Sequence, residues 1–132
     1  MKYLLDTNVL VAMFRKHHNM RQQILKKGIY NCAVSEATLA ELKVGAYKTG
    51  DIRQWKEVVE TQRSFDIIPI DSVTFDLYAK NRASLEKQGN KIDTLDLLIG
   101  CSAIQNEFVL VSHNKEHFDR IPNIQIEDWE TE

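Results

Sequence analysis

Short apolar runs alternate with amphipathic stretches along this chain, and turn-forming residues separate them. The first run, Tyr3–Leu5, stops at Asp6. Thr7 or Asn8 then caps a helix through Phe14, with Val9, Leu10, Ala12 and Met13 as its apolar surface. A second helix is expected over Met20–Lys27, closed by Gly28, which enters left-handed backbone without strain. Residues 32–34 read as a second strand. Ser35 next caps a helix whose Ala37, Ala40, Leu42, Val44 and Ala46 interleave with charges, and Gly50 lies beyond its end. Residues 51–64 read as a further helix and 67–70 as a third strand. Asp71 or Ser72 opens a long helix carrying Phe75, Leu77, Tyr78, Ala79 and Leu85, ended by Gly89 and Asn90. From Asp93 or Thr94 to Asn106 runs a nearly all-apolar helix, the pattern of a buried central element. Residues 108–111 form a fourth strand and 124–126 a short fifth.

Strands that alternate with helices predict an α/β fold: a three-layer α/β/α domain around a central, mainly parallel sheet of about four to five strands. No repeat, low-complexity segment or linker interrupts the pattern, so residues 1–132 are expected to form a single domain. That length is enough for one sizeable core. In such a sheet, ligands collect outside the carboxyl ends of the strands.

Composition narrows the function classes. The net charge of −2 excludes a global basic field, so any nucleic-acid contact must come from local cations. Arg15 and Lys16, Lys26 and Lys27, Lys43, Lys48 and Lys115 are the candidates, and solvated surface is the simpler reading of each. Cys32 and Cys101 stand in apolar surroundings at no metal or redox spacing, which suits buried thiols in a reducing cytoplasm. The N-terminal apolar stretch is too short for a signal peptide and is broken by Asp6 and Asn8; no segment approaches a membrane span.

The candidate chemistry is acidic. Asp6 follows the first strand directly, so its carboxylate stands at the sheet edge. It is either a helix cap or a ligand, and Asn8 could share the capping role. Glu41 sits two turns into a helix, where a solvated glutamate is the ordinary case. Asp96 precedes the apolar run from Leu97 to Cys101, and a carboxylate beside a buried stripe needs a partner or a metal to stay charged. Asp93 lies three residues earlier on the same face, as a repelling neighbour, a shared ligand, or simply an N-cap. Ser112 and Asn114 follow the fourth strand and point to the same edge. An all-oxygen donor set favours a hard cation, Mg²⁺ or Mn²⁺. His113 and His117 have zinc-like spacing but no evident acidic or cysteine partner, so a surface pair is expected, as for His17 and His18.

These residues fall in ordered motifs: LLDTN, SEATLAEL, IDTLDLLIG and LVSHNKEHFDRIPNIQIEDW. Together they resemble the PIN-domain toxins of VapC type, from Met1 to about Trp129. Only residues 51–89 match in helical character rather than in motif. The resemblance implies a metal-dependent endoribonuclease, the toxin of a type II toxin–antitoxin system. It would cleave specific RNAs, transfer or ribosomal, and be restrained by a cognate VapB-type antitoxin. A cytoplasmic homodimer without membrane attachment is implied as well. The family's acidic site carries over to Asp6, Glu41 and Asp96, with Asn114 at its fourth position. Asp6, Asp96 and Glu41 would hold Mg²⁺ or Mn²⁺, with Asp93 as an added ligand candidate, while Thr7, Asn8 and Ser112 would position substrate. Two departures stand out. Asp93 replaces a common Gly, and Thr94 stands where a second Asp is frequent; a helix turns about 100° per residue, so Asp93 cannot take that place. Asn114 is neutral, which lowers the charge of the site.

Two rival classes remain at this level. A catalytically silent fold that binds RNA or an antitoxin would be expected to have lost an acidic position. An aspartyl phosphoryl-transfer enzyme would need a second Asp where Asn8 stands.

Overall fold

The computed structural model describes residues 1–130; the last two residues of the expected single domain lie outside the described residues. Five strands alternate with seven helices: β1 Tyr3–Leu5, α1 Thr7–Phe14, α2 Met20–Lys27, β2 Cys32–Ser35, α3 Glu36–Thr49, α4 Ile52–Ser64, β3 Asp66–Ile68, α5 Ser72–Lys87, α6 Thr94–Gln105, β4 Val109–Val111, α7 Lys115–Phe118 and β5 Ile126–Glu127. The sheet order is β3-β2-β1-β4-β5, and every pairing is parallel. The expected α/β architecture is therefore present, with a wholly parallel sheet. A 3-10 turn at Ile29–Asn31 and the one-turn helix α7 were not anticipated.

The central strand explains the layering. Successive side chains of a strand point to opposite faces. Tyr3 and Leu5 enter one core with Val9, Leu10, Met13 and Trp129; Leu4 enters the other with Leu97, Ile99, Leu110 and Phe118. Both faces are covered, so β1 carries no polar residue until Asp6. Helix α6 meets apolar neighbours on all sides, as its sequence requires, and Gly100 lets it approach closely: a Cβ there would lie 2.5 Å from Ile121 Cδ1. Cys32 and Cys101 are buried free thiols. No helix of the described residues is long and apolar enough to cross a membrane.

Most helix starts follow their cap signals. The Ser35 hydroxyl accepts from the Ala37 N–H at 3.1 Å, and Asp51 and Asp71 accept from the N–H groups of Arg53 and Thr74. Gly50 closes α3 at φ 62°, in the left-handed region where glycine carries no Cβ penalty. Helix α1 takes one of the caps expected for it. Its cap is Asp6, the alternative already open for that residue, rather than Thr7 or Asn8: Asp6 is still extended, its N–H donating to Val111 O at 3.0 Å, and the helix begins at the next residue.

Leu4→Ala should lower the unfolding free energy by about 3 kcal/mol, since it removes a fully buried side chain from a close-packed layer. Urea titration should show a lower midpoint at unchanged slope.

Candidate active site

The register of the sheet sets the site. Leu5 pairs with Val34 on one side and Val111 on the other, so the next residue of each strand, Asp6, Ser35 and Ser112, reaches the same edge. Asp6 is only 4% exposed. Its Oδ1 accepts the Thr7 N–H at 2.8 Å, and its Oδ2 accepts the Ser112 hydroxyl at 3.0 Å. Burial pushes its pKa from 3.8 up to about 6 against the pull of those two hydrogen bonds, and the charges of Asp96 and Glu41 push the same way.

Ser35 starts α3, and Thr38 and Glu41, three residues apart, share one face of that helix. The Thr7 hydroxyl lies 2.6 Å from Glu41 Oε1 and 3.3 Å from Thr38 Oγ1. Thr7 can donate one hydrogen, and the shorter contact to the charged oxygen takes it. Asp96 comes from the first turn of α6, half-buried, its pKa raised by burial, then by Asp93, with His117 opposing and Glu41 adding. Asp6, Glu41 and Asp96 thus act on one another across three separate elements.

The remaining candidates divide. Asp93 is exposed and caps α6, its Oδ2 accepting the Leu95 N–H at 3.2 Å, while its charge still bears on Asp96. Ser112 is fully buried and is a relay: it donates to Asp6 and accepts the Asn114 N–H at 3.0 Å. Asn114 starts α7 without a side-chain cap bond, and both it and Asn8 are exposed at the edge. A groove of about 550 Å³ leads away from Thr7 and Glu41 along Val11, Phe14, Arg15 and Leu42.

Two histidines are more engaged than their sequence context indicated. His117 Nδ1 lies 3.2 Å from Asp96 Oδ2. The signal was present: Asn114 is a helix-starting residue, and one turn of helix swings His117 back toward the edge. His113, expected to have no acidic partner, has two, Asp128 and Glu130. These follow the last strand, so only the fold brings them to it.

The chain matches the PIN domain family over residues 3–124. It is 33% identical to Ribonuclease VapC2 of Rickettsia felis, covering 98% of this chain and 99% of that protein. The chain belongs to the PIN-domain family, in its VapC branch. It is also 31% identical to Ribonuclease VapC1 of Haemophilus influenzae, with 98% of each chain covered. The Rickettsia felis VapBC2 structure, bound to a fragment of promoter DNA, superposes with a TM-score of 0.87 at 32% identity over 98% of this chain and 99% of that one. VapBC-1 from nontypeable Haemophilus influenzae gives 0.85 at 28%, covering 98% of both chains.

The raised Asp6 pKa yields a stability test. Its folded value, about 6, exceeds the unfolded 3.8, so ionisation opposes folding. Stability is greatest below the unfolded value and falls as pH rises from 3.8 to 6, by about 3 kcal/mol for a shift of this size. In EDTA, Asp6→Asn should therefore melt several degrees above wild type at neutral pH, with the gap closing toward pH 4. Equal melting at both pH values would contradict the assignment.

Proposed function

We propose that this PIN-domain protein is a divalent-metal-dependent endoribonuclease, the toxin of a type II toxin–antitoxin pair, which hydrolyses phosphodiester bonds in specific transfer or ribosomal RNAs. The observation that carries the reading is the convergence of Asp6, Glu41 and Asp96 from β1, α3 and α6 on one edge, each pair close enough to be felt in a pKa. A protein gains nothing in stability from gathering three carboxylates this way. A site for cations does. The names of the relatives support the same reading: ribonuclease for those of Rickettsia felis and Haemophilus influenzae, tRNA(fMet)-specific endonuclease for that of Shigella flexneri.

The donor set fits a hard ion, Mg²⁺ or Mn²⁺, because its ligands are carboxylate oxygens whose mutual repulsion a cation would relieve. Asp6, Asp96 and Glu41 would hold it, with Asp93 beside Asp96. When bound, such an ion lowers the pKa of water and neutralises charge at the scissile phosphate. Ser112 fixes Asp6, so that one oxygen is oriented by a side chain and the other by backbone. Thr7 fixes Glu41 through a short hydrogen bond. Asn8 and Asn114 lie exposed at the same edge and are assigned to positioning substrate and water. The first N–H groups of α1 add a modest field that favours phosphate. Products would carry 5′-phosphate and 3′-hydroxyl ends.

A VapB-type antitoxin is the proposed partner, on the precedent of the VapBC complexes named above, and cytoplasmic RNA the proposed setting. Homodimerisation is proposed through exposed apolar side chains; Leu25 on α2 and Val73 and Phe75 on α5 are candidates. A silent binding module is disfavoured because none of the three acidic positions is lost.

Incubating the purified protein with transfer and ribosomal RNA should give discrete fragments with Mg²⁺ or Mn²⁺ and none with EDTA. Asp96→Asn should reduce cleavage at least about 100-fold, as expected when a metal ligand's charge is lost. Wild type and variant behaving alike under every metal would refute the nuclease reading. Thr7→Val should lower kcat by roughly 10-fold, the worth of a hydrogen bond to a charged group.

A further inference from the structure

We propose that His113, Asp128 and Glu130, with His18 bracing Glu130, form a second metal site that takes a transition ion of the zinc class. Three segments meet there, outside the carboxyl ends of β4 and β5. His113 Nδ1 lies 3.0 Å from Asp128 Oδ2 and 2.8 Å from Glu130 Oε2. Among the described residues, these three ligand atoms are the set in which all lie within 4.8 Å of one another. Glu130 Oε1 stands 3.3 Å from His18 Nε2, on the loop between α1 and α2.

The arrangement asks for a cation. Nδ1 carries at most one hydrogen, so the two carboxylate oxygens that close on it share a single donor. Two anionic oxygens drawn against one nitrogen are balanced better by an ion that all three coordinate. One imidazole with two carboxylates, leaving a fourth position open to water, is a donor set a zinc-class ion accepts, whereas the all-oxygen acidic site suits a harder ion.

The ligands are also held in advance. Trp129, between Asp128 and Glu130, is fully buried with its ring against Tyr3, centroids 5.2 Å apart, and its indole N–H donates to Glu127 Oε1 at 3.0 Å. Asp128 Oδ1 accepts the Glu130 N–H at 3.0 Å, which fixes the turn between the two carboxylates. On the other side, His113 follows Ser112, whose hydroxyl is bonded to Asp6. His113 and His18 are about half exposed, so an ion can enter from solvent. Bound there, it would brace the loop after β4, and with it the strand end that holds Asp6, against the C-terminal segment and the α1–α2 loop.

The test uses the full chain, free of any affinity tag, with Asp6→Asn and Asp96→Asn in place so that the acidic site takes no part. Titration with Co²⁺, followed by its visible d–d absorption, should show one equivalent bound with the intense bands of a four-coordinate N/O site. Zn²⁺ should displace it. Adding His113→Gln should weaken Co²⁺ binding at least about tenfold with the circular dichroism unchanged. Glu130→Gln gives a second reading of the same loss should His113→Gln fold poorly. No stoichiometric Co²⁺ binding, or binding to His113→Gln and Glu130→Gln as tight as to the parent, would overturn the proposal and leave an ion-pair network only.

Discussion

Asp6 must keep a carboxylate inside the wall of the protein, and much of the site follows from how that is managed. The comparison with the other caps is instructive. Asp51 and Asp71 also receive backbone N–H groups at helix starts, and hydrogen bonding holds both pKa values below the ordinary range. Asp6 has the same cap and a serine hydroxyl besides, yet its pKa rises to about 6. The difference is burial, which for Asp6 outweighs two hydrogen bonds. A cap alone does not require that depth, since Asp51 and Asp71 do the same work nearer to solvent. The destabilising position of Asp6 makes sense when its charge is retained for chemistry, the usual exchange of stability for function.

The parallel sheet turns this local fact into a site. Because β1, β2 and β4 are in step, the residue that ends each strand arrives at one level, and each does a different job there. Asp6 supplies charge, Ser35 launches the helix that carries Glu41, and Ser112 orients Asp6. Asp96 arrives independently, on a helix whose apolar residues are enclosed on every side. Its Cα therefore has little freedom, and a carboxylate on such a rigid element keeps its geometry. Thr7 links the two halves, since its backbone N–H holds Asp6 and its hydroxyl holds Glu41.

Much of this was legible in the chain. The strands and most helices follow from apolar runs, cap residues and glycine stops, because their signals lie within a few residues of the structure they cause. Asp6 and Asp96 stand out for the same reason, since a carboxylate at a strand end or beside a buried stripe is locally anomalous. Glu41, by contrast, looks like an ordinary helix-surface glutamate and is marked only by the resemblance to VapC-type PIN toxins. What escaped depended on distance in sequence. The partners of His113 lie beyond β5. Helix α7 is four residues long, too short to show a period. Asp93 is the intermediate case: its helix cap was one of its expected roles, while its charge acts on Asp96 at the same time.

The charge balance then bears on how RNA reaches such a site. With a net charge of −2 and carboxylates gathered at the edge, the bare protein offers a polyanion little long-range attraction. At physiological ionic strength, fields between exposed charges fade over about 8 Å, so what matters is the cations within that distance. Arg15 lines the groove beside Glu41, and Lys115 begins α7 next to Asn114. Those groups, together with a metal held among the carboxylates, would make the edge locally acceptable to phosphate without making the protein basic as a whole. The same electrostatics explains how a protein partner would silence it. A guanidinium or ammonium placed among Asp6, Glu41 and Asp96 would relieve their repulsion as a metal does, but it is no Lewis acid and leaves water unactivated.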